Sequence, residues 1–293
     1  MSLTAAIGSW GRMVKFSHTL FALPFALAGA ALAAAERGIT WQQVSWIVVA
    51  MVGARNAAMG FNRLADQGYD ARNPRTRNRE LPSGRLSRRA VWSVTLLLAA
   101  LFIFAASRLS PLCGWLAPVA LAVVFGYSFT KRFTWASHLI LGLALAMAPV
   151  GAWVAVSGSF SVAAWLLGAA VLTWVAGFDV LYACQDLEFD SREGLHSIPA
   201  RFGLHRSLVI ARGLHGIALA ALVGVGLVAR LHPIYWAGLA IVAAVLIWEH
   251  RLVRADNLSK LDVAFFTMNG IISLIYLATI LVALLWPRAW PAS

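Results

Sequence analysis

The sequence predicts an all-α, polytopic membrane protein with nine transmembrane helices. Of its 293 residues, 60% are hydrophobic and only 12% are charged, and the mean hydropathy is +0.75. A soluble protein of this length would need more polar surface to cover its core. The length allows about nine helices of roughly 20 residues, each long enough to cross a ~30 Å hydrocarbon core. Because no separate soluble domain fits, residues 1–293 are predicted to form one integral membrane domain.

Nine apolar runs define the predicted helices in chain order. They lie at about 18–35, 44–62, 90–109, 111–130, 136–157, 161–182, 207–230, 232–250 and 262–286. The first run follows Arg12 and Lys15 and ends in alanines, a pattern that a cleaved signal peptide would share. Because eight further runs follow it, we interpret the first run as an uncleaved helix.

The basic residues predict how the chain is oriented. Lysine and arginine total 24 against 12 acidic residues, for a net charge of +12. In a soluble protein this excess would suggest a nucleic-acid partner, but in a polytopic protein it reports topology, and no nucleic acid is expected. Basic residues precede the first run and follow the second, fourth, sixth and eighth. The positive-inside rule therefore places the N-terminus and these four loops in the cytoplasm.

Acidic side chains at a spacing of four end the second and sixth runs. The two series are Asn62, Asp66 and Asp70, and Tyr182, Asp186 and Asp190. A step of four places side chains on one helix face, where neighbouring carboxylates repel each other unless a cation lies between them. Hard oxygen ligands suit Mg²⁺, which keeps several waters and bridges to phosphate oxygens, so diphosphate is the expected ligand. A single such pair is common on solvated helix ends, but two at matching positions indicate a site.

The two acidic series also indicate an internal duplication. Each member of the first series has a counterpart 120 residues later, from 62 to 182, from 66 to 186 and from 70 to 190. Each series then leads to a proline turn, at Pro82 and at Pro199. The sequence therefore predicts two divergent repeats whose equivalent helix ends lie close together on one side of the membrane.

Charged residues inside the apolar runs point to a cavity beneath these series. An ionised group in hydrocarbon costs ~3 kcal/mol or more and needs a partner or water. Arg55 and Asp179 precede Asn62 and Asp186 by seven residues, which returns them to nearly the same helix face two turns deeper. They are interpreted either as a buried ion pair that locks the helices, or as cavity groups in which Arg55 clamps an anionic acceptor.

Basic and aromatic residues end the fourth run. Lys131 and Arg132, with Tyr127 one turn earlier, either neutralise a leaving diphosphate or mark the membrane boundary by snorkelling. The seven histidines show no spacing typical of metal ligands, and we interpret them as interface or loop residues.

These patterns resemble the UbiA-type superfamily of intramembrane prenyltransferases over essentially the whole chain. The resemblance is carried by Asn62-x3-Asp66-x3-Asp70, residues 78–84, Tyr127-x3-Lys131-Arg132, Asp179-x2-Tyr182-x3-Asp186-x3-Asp190, and residues 194–203. It implies Mg²⁺-dependent transfer of a polyprenyl chain from its diphosphate to an aromatic acceptor, in an all-helical fold with a lipid-facing tunnel. Many relatives have Asp directly after the first Asn, where this chain has Arg63.

The resemblance implies a role for each candidate residue. Two Mg²⁺ ions would be held by Asn62, Asp66, Asp70, Asp186 and Asp190. The diphosphate would be bound by Asn62, Arg79, Lys131, Arg132 and Arg201. Arg55 and Tyr127 would hold the aromatic acceptor, and Asp179 would tune Arg55 or take up a proton. Some of the 15 Phe and 13 Trp residues would stabilise a transient carbocation through their ring faces, while most are packing residues.

The pattern around Tyr182 and residues 194–199 resembles the 4-hydroxybenzoate polyprenyltransferase branch and its relatives in the futalosine route to menaquinone. The expected acceptor is 4-hydroxybenzoate, for ubiquinone or menaquinone synthesis, and 1,4-dihydroxy-6-naphthoate is the alternative. A secondary transporter, which also has repeats and midplane charges, is the alternative of another class. The expected location is the bacterial inner membrane, with the active site on its cytoplasmic side.

Overall fold

Nine long helices make up almost all of the described part of the chain. The computed structural model describes residues 8, 10, 11, 13, 19–254, 257–261 and 263–286. In chain order the helices are α1 (Thr19–Arg37), α2 (Trp41–Arg72), α3 (Arg88–Leu109), α4 (Pro111–Thr130), α5 (Ser137–Ser157), α6 (Val162–Ala183), α7 (Ile198–Val228), α8 (Ile234–Leu252) and α9 (Asn269–Leu285). Within these ranges there is no named strand, which confirms the all-α fold.

Each predicted apolar run coincides with one of these helices. Eight stretches of the described chain, from α2 onward, are long and apolar enough to cross a bilayer. The remaining helix, α1, packs against α5 and α9 inside the bundle. Arg12, Lys15 and His18 lie outside the described residues, so the cytoplasmic N-terminus stays a prediction, as do the two repeats. The protein is an integral membrane protein of helical bundle architecture.

Hydroxyl side chains determine where several helices begin. The Thr40 hydroxyl accepts a hydrogen bond from the Gln43 backbone N–H, and the Gln43 side chain accepts one in return from the Thr40 N–H. This reciprocal pair satisfies two backbone donors that the helix itself leaves open. Serine caps start four further helices in the same way, at Ser87, Ser110, Ser161 and Ser197.

Small residues allow the central helices to approach closely. Gly29 of α1 lies against the backbone of Pro149 in α5, and Gly142 of α5 lies against the Leu172 carbonyl of α6. A Cβ atom at either glycine would collide with backbone rather than with a movable side chain. Such close contacts hold helices together in membranes, where burial of apolar side chains gives little driving force. They bring α6, the most buried helix, against its neighbours and fix the back of the cavity described below.

Three helix boundaries near the cavity differ from the prediction. Helix α2 continues ten residues past the predicted end at 62, to Arg72. After α6, the chain passes through a 3₁₀ turn (Cys184–Asp186) and a short helix (Leu187–Arg192), so Asp186 and Asp190 do not share one unbroken α-helix. Helix α7 begins at Ile198 rather than 207, because Ser197 caps it, and it kinks at Gly203, where φ is +76°.

Candidate active site

One cavity of about 820 Å³ lies between α2, α4, α5 and α6. Its polar end is lined by members of both acidic series. Its other end is apolar and is lined by residues that include Phe160 and Trp165. Phe160 and Trp165 are exposed on the surface of the bundle. The cavity therefore connects a charged chamber to an apolar opening.

Basic side chains hold the first acidic series. The Asn62 amide donates a hydrogen bond to Asp66 Oδ2 at 2.8 Å. Arg79 Nη1 lies 2.7 Å from Asp70 Oδ1, and Arg63 Nη1 lies 3.9 Å from Asp70 Oδ2. Asp70 Oδ2 is buried and has no hydrogen-bond partner among the described residues. An uncompensated buried carboxylate oxygen is costly, which favours a further cationic ligand at this point.

The second acidic series is held from across the bundle. Arg75 grips Asp186 with two bonds, from Nε at 3.0 Å and from Nη2 at 2.6 Å. Asn73 donates to the same carboxylate at 3.2 Å, and its side-chain oxygen accepts from the Arg75 backbone N–H, which fixes the turn that aims Arg75. Lys131 Nζ lies 3.4 Å from Asp190 Oδ2.

Each of the four carboxylates therefore has a basic partner, since Arg132 Nη2 also lies 3.8 Å from Asp66 Oδ1. No three His, Cys, Asp or Glu side chains in the described part of the chain are grouped as ready-made metal ligands. The carboxylates are held by the protein's own cations, and a metal ion would have to replace those cations. The oxygen donors are of the kind that Mg²⁺ prefers, and Asp70 Oδ2 accepts no hydrogen bond from the described residues.

Two of the basic partners, Lys131 and Arg75, remain charged at neutral pH. Burial by itself would lower the pKa of Lys131, but the nearby charges of Asp190, Asp179 and Asp186 outweigh burial and raise it. Burial would also lower the pKa of Arg75, and the hydrogen bond and charge of Asp186 outweigh that effect and raise it. The carboxylates thus keep both side chains cationic in the chamber.

Arg55 and Asp179 line the cavity below the acidic series, as their spacing predicts. The partner that the structure gives Asp179 is His138, whose Nδ1 lies 2.6 Å from Asp179 Oδ2. The Ile198 backbone N–H donates to His138 Nε2 at 3.2 Å. Because a backbone N–H can only donate, Nε2 must be unprotonated. The ring proton is therefore on Nδ1, which donates a hydrogen bond to Asp179.

The interpretation of the histidines as interface or loop residues is wrong for His138. Its side chain is 0% exposed and lies between α6 and the start of α7. The sequence contained a weak signal, because His138 opens an apolar run, but its spacing to Asp179 carries no information. The two residues meet only because α5 and α6 pack side by side.

All but one of the candidate residues line this single cavity. They are Arg55, Asn62, Asp66, Asp70, Arg79, Tyr127, Lys131, Arg132, Asp179, Asp186 and Asp190. Arg201 is the exception. It does not line the cavity, which corrects the expectation that it binds diphosphate there. Its guanidinium lies over the rings of Trp135 and Phe202, at 5.7 and 5.5 Å, and its side chain is exposed.

Arg75, which the sequence did not single out, lines the chamber, whereas Arg201 does not. It lies in the loop after α2, within a basic stretch in which no spacing distinguishes one arginine from the next. Arg63, which replaces the Asp found in many relatives, is 8% exposed and lies 3.4 Å from Asn62 Oδ1 and 3.9 Å from Asp70 Oδ2. It therefore adds a positive charge directly to the first acidic series.

Comparison with known proteins identifies the family. The UbiA prenyltransferase family matches residues 22–271. A 4-hydroxybenzoate octaprenyltransferase of Vibrio parahaemolyticus is 31% identical over 240 residues, 82% of this chain and 84% of its own. The enzyme of that name from Azotobacter vinelandii is 34% identical over 201 residues, 68% of each chain.

Solved structures agree with this assignment. The apo structure of a UbiA homolog from Aeropyrum pernix K1 is 33% identical, with a TM-score of 0.83 over 90% of this chain and 97% of that one. A UbiA homolog from Archaeoglobus fulgidus, solved with DMAPP and Mg²⁺, shares the fold at 21% identity, with a TM-score of 0.73 over 94% and 99% of the chains. These similarities favour an enzyme over the transporter alternative. The chain belongs to the UbiA prenyltransferase family.

Proposed function

We propose that this prenyltransferase moves a polyprenyl group from its diphosphate to the ring of 4-hydroxybenzoate, with formation of a carbon–carbon bond. The observation that carries the proposal is the single cavity, which joins two acidic series to Arg55 and Asp179 and then to an apolar opening. The charged end suits a diphosphate, the middle suits an aromatic acid, and the apolar end suits a prenyl tail in lipid. The names of the relatives at 31% and 34% identity support this acceptor.

The oxygen donors of the chamber fit Mg²⁺. We propose that Asn62, Asp66, Asp70, Asp186 and Asp190 hold two such ions, with Asp70 Oδ2 supplying a donor that accepts no hydrogen bond from the described residues. When bound, Mg²⁺ would offset the negative charge that grows on the leaving diphosphate oxygen.

The basic partners of the carboxylates would take a second role once substrate enters. Arg75, Arg79, Lys131 and Arg132 each hold an aspartate of the chamber. The oxygens of a diphosphate would give these cations new acceptors, and the carboxylates would then be free to hold the metal ions. The same side chains would therefore balance the charges of the four aspartates and clamp the diphosphate when it binds.

The reaction breaks the allylic C–O bond, and its electron pair leaves with the diphosphate oxygen. The ring carbon next to the acceptor hydroxyl attacks the allylic carbon. Loss of the proton from this ring carbon then restores aromaticity. Arg55 would hold the acceptor carboxylate, Tyr127 would orient the ring, and Asp179, fixed by His138, would accept the ring proton. The buried cavity keeps water from the cation.

The distribution of charge supports a cytoplasmic active site. The loops that carry Arg75, Arg79 and Lys131 are the basic loops that the positive-inside rule assigns to the cytoplasm. We propose that the enzyme, as one domain, lies in a bacterial inner membrane with the charged end of its cavity toward the cytoplasm.

The test of this function uses the purified protein with Mg²⁺ and a polyprenyl diphosphate. Separate reactions contain 4-hydroxybenzoate or 1,4-dihydroxy-6-naphthoate, and products are identified by mass spectrometry. We expect prenylated 4-hydroxybenzoate and an absolute requirement for the metal. Product from the naphthoate alone would replace the acceptor and keep the chemistry, whereas no diphosphate release from folded, Mg²⁺-loaded protein would contradict prenyl transfer.

Arg75→Gln is expected to tighten Mg²⁺ binding and to lower turnover. Without the guanidinium, Asp186 loses a competing cation, so Mg²⁺ without diphosphate should bind roughly tenfold tighter. Diphosphate release should slow by roughly tenfold, because a charged hydrogen-bond donor to the leaving group is lost. Calorimetry measures the first effect and a diphosphate assay the second.

Arg72→Gln is the matched control for Arg75→Gln. Arg72 pairs with Glu193 at 2.9 Å on the surface and does not line the cavity, so its loss should change neither quantity. If Arg75→Gln weakened Mg²⁺ binding, the exchange of partners proposed for Asp186 would be wrong.

His138→Leu is expected to lower turnover by roughly tenfold. The change removes the donor that orients Asp179 and leaves the Ile198 N–H without its acceptor, a loss of about 1–3 kcal/mol for a buried group. His138→Gln, which offers one donor and one acceptor, should recover part of the rate. Steady-state assays at saturating substrates provide the measurement, and an unchanged rate in His138→Leu would show that Asp179 needs no orientation.

A further inference from the structure

A π-helical turn at Val263–Met268 precedes α9 and forms part of the cavity wall. Such turns are wider than an α-helix and displace backbone carbonyls from their usual partners, and they are frequent at functional sites. Here the Asn269 side-chain amide lies 3.2 Å from the Ala264 carbonyl and 3.1 Å from the Phe265 carbonyl. Asn269 is 0% exposed. Its amide therefore supplies donors that support the wide turn.

Glu249 of α8 completes this support. Its Oε1 accepts from the same Asn269 amide at 3.1 Å, and its side chain is also 0% exposed. A carboxyl group buried within membrane helices is expensive and normally marks a functional constraint. The steps proposed above for the reaction do not use Glu249. Its observed contact ties α8 to the π-helical turn.

The turn directs Phe265 into the cavity. The Phe265 ring stacks on Tyr182, with centroids 4.1 Å apart, and meets Phe178 edge-on at 5.2 Å. All three rings line the cavity, and we call them the aromatic wall (Phe178, Tyr182 and Phe265). The wall adjoins the charged chamber, because Arg75, which grips Asp186, lies 5.5 Å over the Tyr182 ring.

We propose that the aromatic wall faces the allylic cation and that Asn269 and Glu249 are positioning residues that hold Phe265 in it. The inference rests on the proposed function and adds the groups that protect its intermediate. As the C–O bond breaks, the positive charge spreads over the allylic carbons, and nearby ring faces stabilise it. The acceptor ring then forms the C–C bond and loses a proton. If water reached the allylic cation before the acceptor ring did, it would form a C–O bond, lose a proton and yield prenyl alcohol.

Phe265→Leu tests the aromatic wall by two quantities measured together. The first is the rate of diphosphate release, which should fall by about tenfold, equivalent to ~1.4 kcal/mol of transition-state stabilisation. The second is the ratio of prenyl alcohol to prenylated acceptor, which should rise severalfold as water gains access. A purely structural role for Phe265 would lower the rate without changing the product ratio.

Phe266→Leu is the matched control. It is the same substitution on the same turn. Phe266 meets Phe265 edge-on at 4.7 Å and Tyr182 at 6.0 Å, but it does not line the cavity. Its rate and product ratio should stay within about twofold of the parent enzyme, a change worth only ~0.4 kcal/mol. An equal effect of both substitutions would overturn the assignment of Phe265 to the cation.

Asn269→Leu tests the positioning residues through a double-mutant cycle. Alone it should raise the alcohol ratio as Phe265→Leu does, because the turn would tighten and withdraw the ring. In the Phe265→Leu background it should add little, since the ring is already gone. Fully additive effects would overturn the link between Asn269 and Phe265.

Glu249→Leu and Glu249→Gln provide a second route if Asn269→Leu fails to fold. Leucine removes the acceptor and should raise the alcohol ratio, whereas glutamine keeps an acceptor oxygen for Asn269 and should restore the parent ratio. If both variants had the parent ratio, Glu249 would not be a positioning residue. These failures are distinct from failure of the proposed function, in which the unsubstituted protein itself would release no diphosphate.

Discussion

Asp186→Ala is expected to lower turnover by roughly 100- to 1,000-fold, the largest effect of any single substitution in the chamber. The loss is of this order because removing one preorganised group that stabilises developing charge typically costs that much. Asp186 is 9% exposed and receives two bonds from Arg75 and one from Asn73, so the loop after α2 fixes its position. Alanine would remove a proposed metal ligand and release the guanidinium. The measurement is diphosphate release across a Mg²⁺ titration.

Glu188→Ala is the matched control for Asp186→Ala. Glu188 is the acidic residue between Asp186 and Asp190 on the short helix, but it is exposed and does not line the cavity. Its removal should leave turnover within about twofold, as for most surface substitutions. Near-normal turnover of Asp186→Ala at saturating Mg²⁺ would show that the acidic series do not bind the metal.

Arg55→Ala should raise the KM for the aromatic acid by about 10- to 100-fold and leave the KM for polyprenyl diphosphate nearly unchanged. Arg55 lines the cavity two helical turns below Asn62, between the charged chamber and the apolar end. A hydrogen bond to a charged group contributes about 1.5–3 kcal/mol, which corresponds to that range of affinity. Initial rates with each substrate varied in turn separate the two constants.

Two comparisons sharpen the Arg55 prediction. Arg55→Lys keeps the charge but loses the planar fork, so it should recover only part of the acceptor affinity. An acceptor without a carboxylate should be used equally by the parent enzyme and by Arg55→Ala, because neither makes the ion pair with it. Equal losses for donor and acceptor in Arg55→Ala would indicate that Arg55 supports the helices instead of binding the acid.

Helix positions follow from local sequence, and this explains how well they could be predicted. Apolar runs of about 20 residues must form helices in a bilayer, since every backbone group needs an internal partner. Serine and threonine caps mark the starts of several helices, as at Thr40 and Ser161. The spacing of four in the first series also placed Asp66 and Asp70 together, because α2 runs unbroken to Arg72.

The second acidic series shows where local reasoning fails. The spacing of Asp186 and Asp190 equals that of Asp66 and Asp70, but the chain between them passes through a 3₁₀ turn before the short helix begins. Both side chains nevertheless reach the chamber, because Arg75 and Lys131 hold them from other elements. Their position depends on contacts across the bundle more than on helix periodicity.

The sequence by itself determined the membrane helices, the first acidic series and the depth of Arg55 and Asp179, because each follows from spacing along one helix. Only the tertiary structure decided that Arg75 and not Arg201 enters the chamber, and that His138 orients Asp179. It also placed Phe265 in the cavity through a turn supported by Asn269. The physical reason is that these contacts join residues distant in the chain, and their geometry is set by loop turns, helix caps and the packing of neighbouring helices.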